Sequence, residues 1–388
     1  MIRTNRSRWL LILLLLTVVA LSLLPQSFIT SAQKRTPPRT TKPKTDSRPK
    51  ASPTPTPSAV DQLGAPPPAP TLRQKREEQE VTPGDVISVN TTEVMIPVTV
   101  RDGSGRLVNE LTRNDFRVYE NDREQPLSDL ALRQVPVDVI LMVDASSSVA
   151  SNLDDFRRAA DGFAERLAEE DRISLIKFDD RVELLQDWTK SRFQLRRALA
   201  RIEPGMFTRF NDALLLAARE QFGKATSRRA IIILSDGIDS GRGTATLEAA
   251  VQALLREQVS VYVVSNTEIS RAAKRAELDS LTGGSDSAVR FNQLRIDDLR
   301  AGLRVLDLSE QNLAQLTATT GGRLYKPQSF AGLESTYAEV AEELRHQYAL
   351  YYTPLNKTRD GGFRRVRVEM TNPAYHGHTR VGYFAPKS

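Results

Sequence analysis

From residue 137 onward the chain alternates short apolar runs with stretches in which apolar residues recur every three or four positions. The runs at 137–143, 173–178, 230–234 and 259–264 are rich in Val, Ile and Leu, which is typical of strands buried on both faces of a sheet. The intervening stretches predict amphipathic helices. Strands that alternate with helices form mostly parallel sheets with helices on both faces, so this pattern predicts an α/β fold.

The helical periodicity places individual elements between these strands. We expect helices at 152–169, 191–202, 211–221, 246–257, 309–319 and 333–346, a hairpin strand at 181–188 and a short strand at 323–326. Residues 267–308 interrupt the alternation as an insertion, with a helix-like run at 272–281, a Gly283-Gly284 break and a short helix at 297–306. The insertion is either a lid that contacts a ligand or a surface loop of the kind that folds tolerate.

Strand-like alternation flanks the α/β region on both sides. Before it, residues 94–100 and 126–132 predict two strands, and Pro97 is typical of a strand at a sheet edge. After it, the alternation returns at 348–352, 366–370 and 381–383. Neither flank has enough strands to be stable alone. We therefore predict that both flanks combine into one β-sandwich, with the α/β domain inserted into it.

The beginning of the chain has the composition of an export signal. Arg residues precede an uncharged, Leu- and Val-rich run of about 16 residues at 9–24, and Thr30-Ser31-Ala32 follows it. A spanning helix needs about 20 apolar residues, so either cleavage after Ala32 or retention as a signal anchor fits the run. In both cases we expect the rest of the chain outside the cytoplasm, in the periplasm or cell envelope or secreted.

Residues 33–84 predict a disordered linker rather than a domain. They hold 12 of the 21 prolines, between Pro37 and Pro83, and show no hydrophobic periodicity. The basic half, 34–50, either lies on an anionic envelope surface or is a solvated spacer. Residues 1–84 carry 13 of the 54 basic residues and five of the 48 acidic ones, so the remainder is close to neutral. We therefore expect no nucleic-acid partner.

Oxygen-bearing side chains gather where two of the predicted strands end. Asp144, Ser146 and Ser148 follow the first strand, Asp236 follows the strand at 230–234, and Thr208 precedes a helix between them. In open α/β sheets, ligands bind at the carboxyl ends of the strands. Two carboxylates and three hydroxyls suit a hard divalent ion such as Mg²⁺. The sequence thus predicts one metal ion held by these five residues.

These residues resemble a known motif. The Asp-Xaa-Ser-Xaa-Ser sequence at 144–148, the later Thr208, and Asp236 in a Ser-Asp-Gly turn resemble the metal-ion-dependent adhesion site (MIDAS) of von Willebrand factor type A (VWA) domains. Asp212, four residues after the Thr, also suits that pattern. The resemblance covers about 136–346 and implies a Rossmann-like VWA domain.

The resemblance also implies a coordination scheme. The hydroxyls of Ser146, Ser148 and Thr208 would bind the ion directly, and Asp144 and Asp236 would bind it directly or through water. A Glu or Asp carboxylate of a partner protein would complete the coordination. The ion would be Mg²⁺, or else Mn²⁺ or Ca²⁺.

Together these observations predict the following organisation. A signal peptide or anchor (1–32) and the linker (33–84) precede half of the sandwich (85–134), the VWA domain (135–346) and the other half of the sandwich (347–388). This insertion resembles the arrangement in integrin β subunits. The segments 111–120 and 382–386 also resemble a VWA-related family of bacteria, common in Acidobacteria.

Enzyme motifs are missing from the sequence. There is no Gly-Xaa-Ser-Xaa-Gly elbow, His-Glu-Xaa-Xaa-His or P-loop, and no Cys. The His376-Gly377-His378 run, expected in a hairpin turn, lacks further metal donors. Asp239 and the Asp179-Asp180 pair are candidate bases, but we expect them to support the metal ligands or to be solvated.

We therefore predict a non-enzymatic, metal-dependent protein-binding or adhesion module. The alternatives are a scaffold of an envelope complex with a largely structural metal and, less favoured, a metal-assisted hydrolase.

Overall fold

The computed structural model describes residues 93–132, 135–147, 152–222 and 227–387. The predicted export signal and linker lie outside these residues. Within the described ranges, no helix is both long and apolar enough to cross a membrane.

The strands follow one another along the chain with helices mostly between them. The strands are β1 (Val94–Asp102), β2 (Phe116–Glu120), β3 (Arg123–Gln125), β4 (Leu127–Leu132), β5 (Val137–Asp144), β6 (Arg172–Phe178), β7 (Val182–Thr189), β8 (Arg228–Leu234), β9 (Val259–Val264), β10 (Leu324–Tyr325), β11 (Tyr348–Tyr352), β12 (Phe363–Met370), β13 (Tyr375–His378) and β14 (Gly382–Phe384).

The helices are α1 (Leu153–Glu165), α2 (Arg192–Leu199), α3 (Phe210–Leu216), α4 (Leu247–Arg256), α5 (Thr267–Thr282), α6 (Asp286–Phe291), α7 (Gln293–Thr320) and α8 (Leu333–Arg345). A π-helical turn (Ala217–Gln221) extends α3, and short 3₁₀ turns occur at Arg113–Asp115 and Phe330–Gly332.

A six-stranded sheet forms the centre of the molecule, in the order β10-β9-β8-β5-β6-β7. All neighbouring pairs are parallel except β6 and β7, which form the predicted antiparallel hairpin. Every residue of β5 and of β9 is buried, as the apolar runs predict. Helices α1, α2 and α8 contribute to the core on one face, and α3, α4 and α7 to the core on the other. The predicted α/β fold is confirmed.

Aromatic side chains hold α1 and α8 together over the sheet. The ring of Tyr337 in α8 meets the rings of Phe156 and Phe163 edge-on, with centroids 6.2 and 6.1 Å apart. All three side chains are fully buried. Apolar residues spaced along one face of each helix thus pack directly against those of its neighbour.

The flanking strands form two further sheets, and each sheet combines strands from both flanks. One has the order β13-β1-β11-β4 and the other β14-β12-β2-β3. Their inner residues share a single core, which includes Ile96 and Leu350 from the first sheet and Val118 and Val366 from the second. The segments before and after the central domain thus build one β-sandwich.

Pro97 does not mark an edge strand, which corrects the sequence expectation. Strand β1 lies between β11 and β13. Pro97 pairs with Ala349 of β11, whereas pairing with β13 begins only at Thr99. The missing N–H of proline is tolerated because Pro97 lies beyond the end of the β13 ladder.

The insertion also differs from the sequence expectation. The helices expected at 297–306 and 309–319 are a single 28-residue helix, α7. The polar residues between them are not helix caps, because the Asp307 carboxylate pairs with Arg271 and the Ser309 hydroxyl donates to the carbonyl of Asp236. Partners from other elements therefore satisfy the side chains that would otherwise favour a break.

Candidate metal centre

Asp144 ends β5 with its carboxylate completely buried. One oxygen, Oδ1, accepts a hydrogen bond from the backbone N–H of Ser146 at 2.9 Å, and Oδ2 accepts one from Ser235 Oγ at 2.7 Å. Burial raises the pKa of Asp144 to about 6, the hydrogen bonds from Ser146 and Ser235 oppose the shift, and the charge of Asp236 adds to it. The two predicted carboxylates therefore lie close enough to interact.

Asp236 follows β8, the parallel neighbour of β5, and is also buried. Its Oδ1 accepts a hydrogen bond from the N–H of Ile238 at 3.1 Å. Burial raises the pKa of this carboxyl, and the backbone hydrogen bond and the charge of Lys274 only partly offset that effect. The next residue, Gly237, has φ +71° and leaves no room for a Cβ beside Leu313, so the backbone turns sharply after the carboxylate.

The loop that carries Thr208 is fastened to the loop after β5. The N–H of Gly205 donates to the carbonyl of Ala145 at 2.7 Å, and Asp179 packs so closely on Gly205 that a Cβ would lie 2.6 Å from it. Thr208 itself is buried and exchanges hydrogen bonds with Ser240, through its N–H at 2.8 Å and its carbonyl at 2.9 Å. These contacts hold Thr208 at the carboxyl end of the sheet, near the loop that follows Asp144.

Two further carboxylates tie the neighbouring loops together. Asp212 Oδ1 accepts from the N–H groups of Thr244 and Ala245 at 3.0 and 2.8 Å. Asp239 accepts from the N–H groups of Asn211 and Gly241 at 2.9 and 2.7 Å. Both carboxylates thus stabilise loop conformation through backbone donors.

The donor set fits a hard divalent cation. Asp144, Asp236, Thr208 and Ser146 are all buried at the carboxyl end of the sheet, and Ser148 lies outside the described residues. Within the described part of the chain, neither Asp144 nor Asp236 forms an ion pair, and two adjacent buried carboxylates are costly without a cation. No group of three or more His, Asp or Glu arranged to hold a metal occurs among the described residues.

The other candidate residues have different environments. His376 and His378 belong to strand β13, not to a turn, and His378 Nε2 lies 2.8 Å from the carbonyl oxygen of Gly322. Asp179 pairs with Lys177 Nζ at 2.7 Å, and Asp180 accepts from the N–H of Met206 at 3.0 Å. These carboxylates therefore support the loops around Thr208.

Sequence reasoning missed three hydroxyl residues that hold the site together: Ser235, Ser240 and Ser309. Ser235 had a local signal, since it precedes Asp236 in the Ser-Asp-Gly turn. Ser240 and Ser309 had none, because their partners Thr208 and Asp236 come from other segments.

Comparison with known proteins identifies a family match for part of the chain. The profile of the von Willebrand factor type A domain matches residues 139–238, which include Asp144, Ser146, Thr208 and Asp236. Among curated proteins, none matches this chain.

Three solved structures illustrate the structural likeness. Proximal thread matrix protein 1 of the mussel byssus is 15% identical with a TM-score of 0.42, over 58% of this chain and 51% of its own. A von Willebrand factor type A protein from Catenulispora acidiphila is 12% identical with a TM-score of 0.42, over 71% and 74%. The conserved hypothetical protein BatB from Bacteroides thetaiotaomicron is 20% identical with a TM-score of 0.36, over 54% and 99%.

This chain thus spans about half the length of the mussel protein that it matches. Residues 139–238 match the von Willebrand factor type A domain family, and the mostly parallel sheet with helices on both faces is consistent with the fold of that family.

Proposed function

We propose that this protein is a non-enzymatic, metal-dependent protein-binding module. A single divalent ion, Mg²⁺ or else Mn²⁺ or Ca²⁺, is held by Asp144, Ser146, Ser148, Thr208 and Asp236. The observation that carries the proposal is the pair of buried carboxylates, Asp144 and Asp236, which no cation of the described chain neutralises by an ion pair. A buried charge without an opposite charge beside it is energetically costly, and a bound cation would compensate it.

The residues of the chain have separate tasks in this proposal. Asp144 and Asp236 supply two negative charges that balance a divalent ion, while Ser146, Ser148 and Thr208 supply neutral oxygens, so five protein ligands would leave one of six coordination positions for a partner. The metal ion would supply a Lewis-acidic contact to a Glu or Asp carboxylate of the partner. Ser235 holds the Asp144 carboxylate and Ser240 holds the Thr208 backbone, which keeps the ligands in place before the ion arrives.

The proposed cellular setting depends on the beginning of the sequence. The Arg residues before the apolar run at 9–24 support export to the periplasm, envelope or exterior, with or without retention as an anchor. The basic segment 34–50 is the part of the chain suited to an anionic envelope surface.

A scaffold of an envelope complex, with a largely structural metal, is the second candidate. The observation that favours it is the polar contact between the VWA domain and the sandwich. Glu343 of α8 is buried and pairs with Arg101 of β1, and the buried Arg380 of the C-terminal flank donates to Gln258 Oε1 at 2.9 Å. A module joined this firmly could serve as a rigid platform.

Titration calorimetry with Mg²⁺, Mn²⁺ and Ca²⁺ tests the proposal on the purified chain, compared with Asp144→Asn. We expect one ion per chain for the wild type and none for the variant. Because the amide removes a buried charge, the metal-free variant should be more stable to urea by about 1–2 kcal/mol. The matched control is Asp297→Ala, whose side chain is 57% exposed and which should bind metal normally.

Each outcome separates the candidates. Binding that survives in Asp144→Asn would refute the proposed ligand set. Wild-type protein that unfolds when the metal is removed would favour the scaffold with a structural metal.

A further inference from the structure

A groove of about 240 Å³ lies beside the proposed metal site. One wall is the loop 237–239, which directly follows Asp236. The other wall is one face of α7, whose lining residues recur at helical spacing: Val305, Leu308, Ser309, Asn312 and Leu313. The groove therefore begins one residue away from a proposed metal ligand.

The groove has an apolar floor and an apolar rim. Phe210 and Leu313 are buried beneath it. Val305 and Leu308, one helical turn apart, remain 47% and 59% exposed. Exposed aliphatic side chains that border a concave surface are typical of contact sites for another molecule.

One hydrogen bond connects the groove directly to a proposed metal ligand. The hydroxyl of Ser309 in the α7 wall donates to the carbonyl of Asp236. On the opposite wall, Asp239 Oδ2 accepts from the N–H of Asn211, at the start of α3, at 2.9 Å. A ligand group bound at the metal would thus lie at a constant offset from the groove.

We propose that the groove receives the apolar side chain next to the acidic residue of the partner. The recognised motif is then an Asp or Glu with a Leu, Ile, Met or Phe within two positions of it. This inference rests on the proposed function, because the carboxylate at the metal anchors the segment. Asn211 and Asn312 also line the groove, and amide side chains can pair with the backbone groups of a polypeptide segment.

The probe for the test is a phage library of octapeptides with a fixed central Asp and all other positions random, selected on the full chain in Mg²⁺ and eluted with EDTA. We expect enrichment of Leu, Ile, Met or Phe within two positions of the Asp. A synthetic peptide of the enriched sequence should bind Leu308→Gln about tenfold more weakly than wild type, the loss expected for one apolar contact. The matched control is Leu294→Gln on the same helix, with a side chain 84% exposed and outside the groove lining, which should bind like wild type.

The outcomes distinguish this inference from the proposed function. Peptides that need Mg²⁺ and Asp but show no apolar preference, or that bind Leu308→Gln as tightly as wild type, would overturn the groove and leave the metal-dependent module standing. A wild type that dimerises through the groove, with dimers lost in Leu308→Gln, would also overturn it, because a second copy would then be the occupant. Failure of the chain to bind any metal in calorimetry would remove the proposed function and this inference together.

Discussion

Burial of the Asp144 carboxylate lowers the stability of the folded chain, although the proposed function requires this group. Its carboxylate is wholly buried, lies close to a second buried carboxylate and has a pKa raised to about 6. Local hydrogen bonds from Ser146 and Ser235 orient the group but do not neutralise it. Two buried carboxylates without an ion pair are electrostatically unfavourable, and under the proposed function this cost is what a bound cation would relieve.

Gly237 is the residue whose replacement should damage the site most through the backbone. An added methyl group would meet strain from φ +71° and would lie 2.6 Å from the buried Leu313 side chain. We expect Gly237→Ala to lower the free energy of unfolding by about 2–4 kcal/mol and to weaken metal binding. Urea denaturation and calorimetry measure the two effects.

Gly241 provides the matched comparison in the same loop. It has φ +65°, but no atom lies within 4 Å of an added Cβ. Gly241→Ala should therefore show the backbone strain alone, about 1–2 kcal/mol. Equal losses for the two variants would show that crowding against Leu313 is unimportant.

At the scale of elements, helix α7 connects the insertion to the core. Glu310 of α7 accepts from Arg271 of α5 and from Lys326 after β10, at 2.8 and 2.7 Å. Burial raises the pKa of Glu310, but the hydrogen bonds from Lys326 and Arg271 outweigh it and leave the pKa below its ordinary value of 4.5. The ionised carboxylate thus stabilises the folded chain.

The sign of this shift sets a pH dependence. Because the folded-state pKa lies below the unfolded one, the contribution of Glu310 is present above about pH 4.5 and is lost as the pH falls through the folded value. Glu310→Gln should cost about 1–2 kcal/mol at pH 7, as for a partly buried charged hydrogen bond. In urea denaturation the difference from wild type should shrink steadily below pH 4.5.

A second ion pair between the same two helices serves as the control. Glu277 of α5 and Arg295 of α7 pair at 2.6 Å with side chains 43% and 55% exposed. Solvent screening should leave the stability of Glu277→Gln indistinguishable from that of the wild type. A pH-independent loss in Glu310→Gln would mean that packing, rather than charge, accounts for its contribution.

At the scale of the whole molecule, Glu343 joins the two parts of the fold. It is 1% exposed and accepts from Arg101 in β1 and from the hydroxyl of Tyr325 at 2.9 Å. Arg323 Nη1 also lies 3.7 Å from this carboxylate, so removal of Arg101 leaves the buried charge only partly compensated. We expect a double-mutant cycle of Glu343→Gln and Arg101→Ala to give a coupling of about 1–3 kcal/mol in urea denaturation.

An exposed pair in the sandwich provides the reference cycle. Arg365 and Asp122 lie 3.9 Å apart with side chains 71% and 73% exposed, so their coupling should be close to zero. A similar value for both cycles would show that the Glu343 pair does not stabilise the junction.

The fold of the central domain was predictable because its signals are local. Buried parallel strands require continuous apolar runs, and Asp144, Ser146 and Asp236 come at or directly after strand ends. The family profile over 139–238 and the sheet order confirm the fold class, while the five metal ligands remain a prediction.

What only the tertiary structure decided depends on partners far apart in the chain. The sequence predicts an edge strand at Pro97, and only the extent of the β13 ladder shows that β1 is an inner strand. The two helices expected at 297–306 and 309–319 are one helix, α7, in which Asp307 pairs with Arg271 and Ser309 donates to the carbonyl of Asp236. The contacts of Ser240 and Glu343 could not be predicted either, because a hydrogen bond or ion pair between distant segments leaves no periodicity in the sequence.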